Sequence, residues 1–91
     1  MRELLVESKQ EEDAEGSPCK CDYYILVDEM AVAGGFACES YGVKVAEAGG
    51  GDVAAIPNIT TSVTRIDALM ELLTRNFVTP ATLEDVIDDW L

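Results

Sequence analysis

The chain has 91 residues, of which 18 are acidic, 6 are basic and none is histidine, so its formal net charge is −12. This length allows a single domain with one modest core, and 48% hydrophobic residues beside 26% charged ones is typical of a folded chain rather than a disordered one. The excess of carboxylates and the scattered basic residues make nucleic acid and anionic membranes unfavourable partners. We expect one domain over residues 1–91, with a strand-rich half (1–58) and a helical half (59–91).

The sequence lacks signals for export or membrane insertion. The first residues contain no apolar segment of signal-peptide length, and no apolar run approaches the ~20 residues that a membrane span requires. The three cysteines, Cys19, Cys21 and Cys38, are an odd number for a disulfide framework. These features predict a cytoplasmic protein with reduced thiols.

Extended segments dominate the first half. The residue types predict strands at Glu3–Lys9, Cys19–Asp28, about 36–47 and Val53–Ile56. An acidic loop (10–18), a turn (28–35) and a run of glycines (49–51) separate them, and Pro57 is expected to end the fourth strand. Gly42 is expected to mark a bulge in the third strand.

Two amphipathic helices are predicted after Thr60. The first, near Ser62–Asn76, is indicated by apolar residues at helical spacing: Ile66, Leu69, Met70, Leu73 and Phe77. Ser62 or Thr64 is expected to cap its start, and Glu71 and Arg75 are expected to form an ion pair. The second is expected near Thr82–Trp90, with Thr82 as its cap and an apolar stripe of Leu83, Val86, Ile87 and Trp90.

This order of elements predicts an α+β fold. Strands followed by helices, without strand–helix alternation, favour an antiparallel sheet over a parallel one. We expect about four antiparallel strands followed by two C-terminal helices packed on one face of the sheet.

The residues give no signature of catalysis, a metal or a cofactor. Without histidine, the serines lack the base that nucleophilic catalysis needs, and the cysteines cannot complete a closed zinc site. The glycine run opens no helix and has no lysine beside it, so it does not fit a phosphate loop. The acidic cluster Glu84, Asp85, Asp88 and Asp89 matches no calcium-loop spacing. We therefore predict no catalytic residue, metal ligand or cofactor, and a protein that is not an enzyme.

The best functional hypothesis is a small acidic module for protein–protein interaction or regulation. Aromatic residues on an exposed sheet face and a tryptophan at the end of an acidic helix are typical of interfaces, although packing within the fold also accounts for them. The candidate interaction surface consists of Tyr24, Tyr41, Asp85, Asp89 and Trp90. Two alternatives stay open: a small-ligand or metal-binding protein that uses the cysteines or the acidic cluster, and a homodimer whose function lies elsewhere.

Three sequence runs, Phe36–Val45, Ala55–Ser62 and Asn76–Pro80, carry a family resemblance. With them the chain, from Leu4 to Leu91, resembles a family of small uncharacterised proteins of anaerobic Gram-positive bacteria, a domain of unknown function. The resemblance implies a stand-alone bacterial cytosolic protein. It implies no activity, cofactor or catalytic residue.

Overall fold

Four antiparallel strands followed by two helices form the fold in the computed structural model, which describes residues 1–12, 15–31, 34, 35 and 37–91. The elements are β1 (Arg2–Glu12), β2 (Pro18–Ala31), β3 (Ala37–Glu47), β4 (Val53–Thr60), α1 (Val63–Arg75) and α2 (Pro80–Trp90). The strands lie in the sheet in chain order, so β1 and β4 are its edges. The α+β class and the antiparallel sheet predicted from the sequence are confirmed.

The first two strands are longer than the sequence predicts. Glu12 pairs with Pro18, and Ala31 pairs with Ala37, so cross-strand pairing continues into both segments that were expected to be loops. Strand pairing satisfies backbone groups whatever the side chains are, which allows polar residues such as those at 10–12 to lie in a strand. Residues 13 and 14 of the first predicted loop, 32 and 33 of the second, and Phe36 lie outside the described residues.

Pro57 does not end β4, which continues to Thr60. Proline is tolerated there because β4 is an edge strand. The pairing with β3 shifts between Tyr41 and Val43, and Asn58 adopts a left-handed conformation with φ 57°. Gly42 lies at this irregularity, as predicted: a Cβ on it would overlap the Ile56 carbonyl oxygen and the Pro57 Cα. The close approach of the two strands therefore requires glycine.

Helix α1 matches its prediction closely, and its N-cap is Ser62, whose hydroxyl accepts a hydrogen bond from the Arg65 amide at 3.2 Å. The helix ends at Arg75, so Phe77 lies beyond it, with φ 47° and its side chain packed against the core. Glu71 and Arg75 are both exposed and make no ion pair with each other among the salt bridges of the described residues, so that expectation was wrong. Exposed pairs of this kind stabilise helices only slightly.

Helix α2 begins at Pro80, two residues before the predicted start, and the expectation that Thr82 is its cap was wrong. Proline fits the first turn of a helix because the missing N–H would have no partner there. Thr79 is the N-cap, and the Thr82 hydroxyl donates to the Thr79 carbonyl oxygen at 3.3 Å.

The core lies between one face of the sheet and the two helices, which pack on β2, β3 and β4. Its buried members are Cys21, Tyr23, Val43 and Val45 of the sheet and Ile66, Leu69, Met70, Leu73, Val78, Leu83 and Ile87 of the helical half. The Tyr23 hydroxyl donates to the Val78 carbonyl oxygen at 2.9 Å, and the Lys9 ammonium donates to the Thr74 carbonyl oxygen at 2.7 Å. These bonds join the strands to the end of α1.

Candidate interaction surface

The face of the sheet opposite the helices, here called the open face, presents a row of side chains that crosses all four strands. Cross-strand pairing places one residue of each strand in this row: Leu5, Tyr24, Lys44 and Ala55. The neighbouring row contains Ser8, Asp22, Ala46 and Val53. Paired residues share a face because side chains alternate along each strand. The open face is therefore a continuous surface centred on Tyr24.

Lys44 links the Tyr24 row to Glu3, which lies on the side of that row away from Ser8 and Asp22. Its ammonium lies 5.1 Å from the centre of the Tyr24 ring and 2.9 Å from Glu3 Oε1, within the range of a cation–π interaction and an ion pair respectively. The hydrogen bond to Glu3 raises the pKa of Lys44 above its ordinary value. Lys44 thus stays charged and is held across the tyrosine ring.

The open face exposes apolar side chains but carries little charge. Leu5 and Val53 are each 59% exposed, and Tyr24 is half-buried. In the two rows and the adjacent Glu3, the charged residues are Glu3, Asp22 and Lys44, so the net charge there is 1 − 2 = −1, against −12 for the whole chain. Depletion of charge together with an aromatic residue is typical of interface centres.

Leu26 also lies on the open face, but it is only 2% exposed. It pairs with Gly42, and the β4 backbone at Ile56 and Pro57 occupies the space where a side chain at position 42 would lie. The irregularity of β4 therefore shields one end of the open face and leaves the Tyr24 row accessible.

Tyr24 and Tyr41 lie on opposite faces of the sheet, so the expectation that the aromatic residues of the candidate surface share one exposed sheet face was wrong. The pairing of β2 with β3 is regular from Cys21 to Ala31, and it places Tyr24 opposite Lys44 and Tyr41 opposite Val27. Tyr41 packs partly buried against the core on the helix side. The sequence did not reveal this because the relative register of two strands decides which faces their residues share.

The α2 residues of the predicted surface lie apart from Tyr24. Trp90 is partly buried against the core, and the Arg65 guanidinium lies 4.6 Å from the centre of its ring. Trp90 thereby joins the end of α2 to the start of α1. Asp85 and Asp89 are exposed, and neither is in an ion pair among the salt bridges of the described residues. Trp90 therefore has a packing role, whereas these carboxylates face solvent.

The cysteines do not converge. Cys19 and Cys21 lie on the helix-covered face, whereas Cys38 pairs with Met30, nine residues along β3 from the partner of Cys21 and so roughly 30 Å away. Burial, followed by the neighbouring Cys19, raises the pKa of the Cys21 thiol to about 11. Burial also raises the pKa of Tyr23. Within the described part of the chain, no three or more Cys, Asp or Glu side chains are placed to hold a metal ion.

An open depression of about 400 Å³ lies at the N-terminus, between the start of β1 and the part of β2 beside it. Charged and apolar residues of the N-terminus, β1 and β2 surround it: Met1, Arg2, Val27, Asp28 and Glu29. Arg2 is already paired with Glu39, at 2.7 Å. The depression therefore offers a ligand carboxylates and an engaged arginine, which is a weak basis for specific recognition.

Comparison with known proteins supplies the family. A model of a family of unknown function, DUF6514, matches residues 2–91. The chain belongs to this family. No curated protein and no solved structure matches the chain. In the described portion, no helix has both the length and the apolarity to cross a bilayer.

Sequence reasoning identified Tyr24 but missed the other members of its row. Strand alternation is the signal that could have placed Leu5, Lys44 and Ala55 on the open face. Each lies two positions from another open-face residue of its own strand. That signal becomes useful only once the pairing of the strands is known, because the bulge between Leu5 and Glu7 shifts the alternation in β1.

Proposed function

We propose that the protein is a non-enzymatic module for protein–protein interaction, and that its docking surface is the open face centred on Tyr24. The observation that carries this proposal is the row Leu5, Tyr24, Lys44 and Ala55, which combines aromatic, aliphatic and cationic groups at low net charge. Leu5 and Ala55 are exposed, and Tyr24 and Lys44 are half-buried. Tyrosine supplies a large contact area with few rotatable bonds, which favours it at interface centres.

The carboxylates elsewhere on the chain affect the rate at which a partner associates rather than the strength of the final complex. Glu84, Asp85, Asp88 and Asp89 are exposed on α2, where they add to a net charge of −12. Like-charged surfaces repel, and long-range attraction raises association rates for an oppositely charged partner. A partner that docks on the open face is therefore expected to carry basic residues around an apolar centre.

The buried ionisable groups support a role without catalysis. The Cys21 thiol and the Tyr23 phenol are both 0% exposed, and burial raises the pKa of each above its ordinary value, which favours the neutral form. A nucleophile or a general base must reach its substrate in the correct protonation state. Both groups instead pack in the core, and Tyr23 bonds to Val78. In keeping with the family resemblance, we place the protein in the bacterial cytoplasm.

The test is quantitative affinity capture from a lysate of the source organism with two matched variants. Tyr24→Ser removes the centre of the open face. Val63→Ser removes an apolar residue that is 56% exposed on α1, away from that face. We expect at least one protein to be captured near stoichiometrically by the wild type, to fall about 10-fold with Tyr24→Ser and to be unaffected by Val63→Ser.

The captured protein is then purified and its binding measured directly. Asp85→Asn combined with Asp89→Asn should lower the association rate and its dependence on salt, with little change in the dissociation rate. Capture that is insensitive to Tyr24→Ser, or equally sensitive to Val63→Ser, would contradict the open face as the docking surface. Trp90→Ala is unsuitable as a probe because it also removes packing between the two helices.

A further inference from the structure

The two edges of the sheet differ in how well they resist pairing with another strand. An edge strand presents a row of unpaired backbone N–H and C=O groups, and proline, bulges and short length protect it. β4 has 8 residues, contains Pro57 and is irregular beside Gly42. β1 also has an irregularity, between Leu5 and Glu7, but it is longer, with 11 residues, contains no proline, and is exposed at every residue except Lys9. β1 is therefore the edge open to pairing.

Apolar side chains are concentrated on this edge. Leu4 is 48%, Leu5 59% and Val6 49% exposed, and they are consecutive in the chain. The helices pack on β2, β3 and β4, so β1 extends beyond the layer that they form. An exposed edge with adjacent apolar residues is the usual template for strand addition.

We propose that β1 pairs antiparallel with β1 of a second copy of this chain, so that the two four-stranded sheets join into one continuous sheet about a twofold axis. This proposal does not depend on the partner that docks on the open face, because the pairing uses the outer backbone edge of β1. Leu5 is shared by the two surfaces, since it also belongs to the Tyr24 row.

The bulge in β1 restricts how two copies can pair. Leu5 lies opposite Tyr24, and Glu7 lies opposite Tyr23, so the side-chain alternation shifts by one residue at Val6. In a twofold pairing, residues opposite each other must lie on the same face of the sheet. A long pairing that satisfies this condition joins the segment before the bulge in one copy to the segment after it in the other.

Charge complementarity selects one register among these. With the axis between Val6 and Glu7, Arg2 of one copy lies opposite Glu11 of the other, twice in the dimer. The remaining opposed pairs place no like charges together: Glu3 with Gln10, Leu4 with Lys9, Leu5 with Ser8 and Val6 with Glu7. Opposite charges across a strand pair stabilise it, and like charges destabilise it. This register has two Arg–Glu pairs and no opposed like charges.

The neighbouring registers are unfavourable. A shift by two residues in one direction places Arg2 opposite Lys9 in both halves of the dimer, and a shift in the other direction places Glu3 opposite Glu12. The charges on β1 sum to 2 − 4 = −2, a small part of the total of −12. Most of the negative charge therefore lies away from the joined edge.

The test is a charge swap followed by sedimentation equilibrium over a dilution series. Arg2→Glu places two carboxylates opposite each other in both halves of the dimer, and Glu11→Arg places two guanidinium groups opposite each other. Each variant alone should therefore dimerise about 10-fold more weakly than the wild type. In a heterodimer of the two variants, every contact between positions 2 and 11 joins a carboxylate of the Arg2→Glu chain to a guanidinium group of the Glu11→Arg chain. An equimolar mixture of the two variants should therefore dimerise about as tightly as the wild type if the register is right.

A double variant in one chain supplies the rescue. Arg2→Glu combined with Glu11→Arg exchanges the two charges, so that both opposite-charge pairs form again in the homodimer with their direction reversed. We expect this double variant to dimerise like the wild type, although each single variant does not. Recovery by the double variant requires that positions 2 and 11 of different copies face each other.

Two controls separate this effect from others. Glu39→Gln removes the ion pair that Arg2 makes within the chain. Because this pair competes with the pairing of Arg2 to Glu11 of the other copy, Glu39→Gln should dimerise at least as tightly as the wild type. Glu84→Arg makes the same charge change as Glu11→Arg on a distant helix, and it should dimerise like the wild type, as should Tyr24→Ser. A wild type that stays monomeric throughout the dilution series overturns the proposal. So does a dimer that is insensitive to both single variants, or one that is lost with Tyr24→Ser, which would assign self-association to the open face.

Discussion

Tyr23 and Tyr24 are consecutive residues of β2 with opposite roles. Tyr23 is 0% exposed, packs among the helices and donates a hydrogen bond to Val78. Tyr24 is half-buried on the open face, where Lys44 lies over its ring. One residue type therefore stabilises the fold on one face of the sheet and forms the centre of the proposed recognition surface on the other. The difference follows from strand alternation and from the helices covering a single face.

The largest expected difference between the two faces is found by truncating each tyrosine in turn. Tyr23→Ala removes a fully buried aromatic ring and leaves a cavity, so we expect the free energy of unfolding to fall by about 3–5 kcal/mol. Tyr24→Ala removes a partly exposed ring, and we expect a loss below about 1 kcal/mol. Urea denaturation measures both values. Similar losses for the two variants would show that the open face is also part of the stabilising core.

A substitution at Gly42 tests how much of the open face the β4 backbone shields. In Gly42→Ala the new methyl group overlaps the Ile56 carbonyl oxygen and the Pro57 Cα. Backbone cannot yield as a flexible side chain does, so we expect a loss of about 3 kcal/mol, at the upper end for overpacking. Ala55→Gly, at an exposed position in the same region of β4, is a control that changes a methyl group without a clash. The free energy of unfolding of both variants is measured by urea denaturation. An unchanged value for Gly42→Ala would contradict the close approach of the two strands.

The helix-covered face should also lose stability at high pH. The pKa of Cys21 is raised from 9.0 to about 11, so between these values the unfolded thiol releases its proton while the folded thiol retains it. The contribution of this thiol to the free energy of unfolding is therefore fully present below pH 9.0 and is lost as the pH rises towards about 11. The loss from this group is roughly 2 kcal/mol. Tyr23, whose pKa is also raised, adds to the loss at higher pH.

Cys21→Val isolates the thiol, since valine fills a similar buried volume without an ionisable group. The loss in free energy of unfolding between neutral pH and about pH 11 should be smaller in Cys21→Val than in the wild type, as measured by urea denaturation at each pH. Cys38→Val, at a half-buried position away from the core, is the control and should keep the alkaline loss. Equal pH profiles for wild type and Cys21→Val would contradict the prediction.

Much of the fold could be predicted from the sequence because its local signals are strong. The stripe from Ile66 to Leu73 determined α1, since only a helix brings these residues to one face. The alternation in Cys19–Asp28 determined the centre of β2. The sequence could not predict the full length of β1 and β2. Their polar ends are held by backbone hydrogen bonds between strands, and these bonds do not depend on residue type.

The sequence by itself determined the element types, their order, the acidic net charge and the presence of Tyr24 on one face and Tyr23 on the other. Only the tertiary structure decided which residues join Tyr24, that Tyr41 lies on the other face, that Trp90 packs under Arg65, and which edge is unprotected. Local periodicity is a property of one segment, so it can be recognised in the residues of that segment alone. A shared surface depends on register between segments, where a bulge of one residue reverses every side chain beyond it.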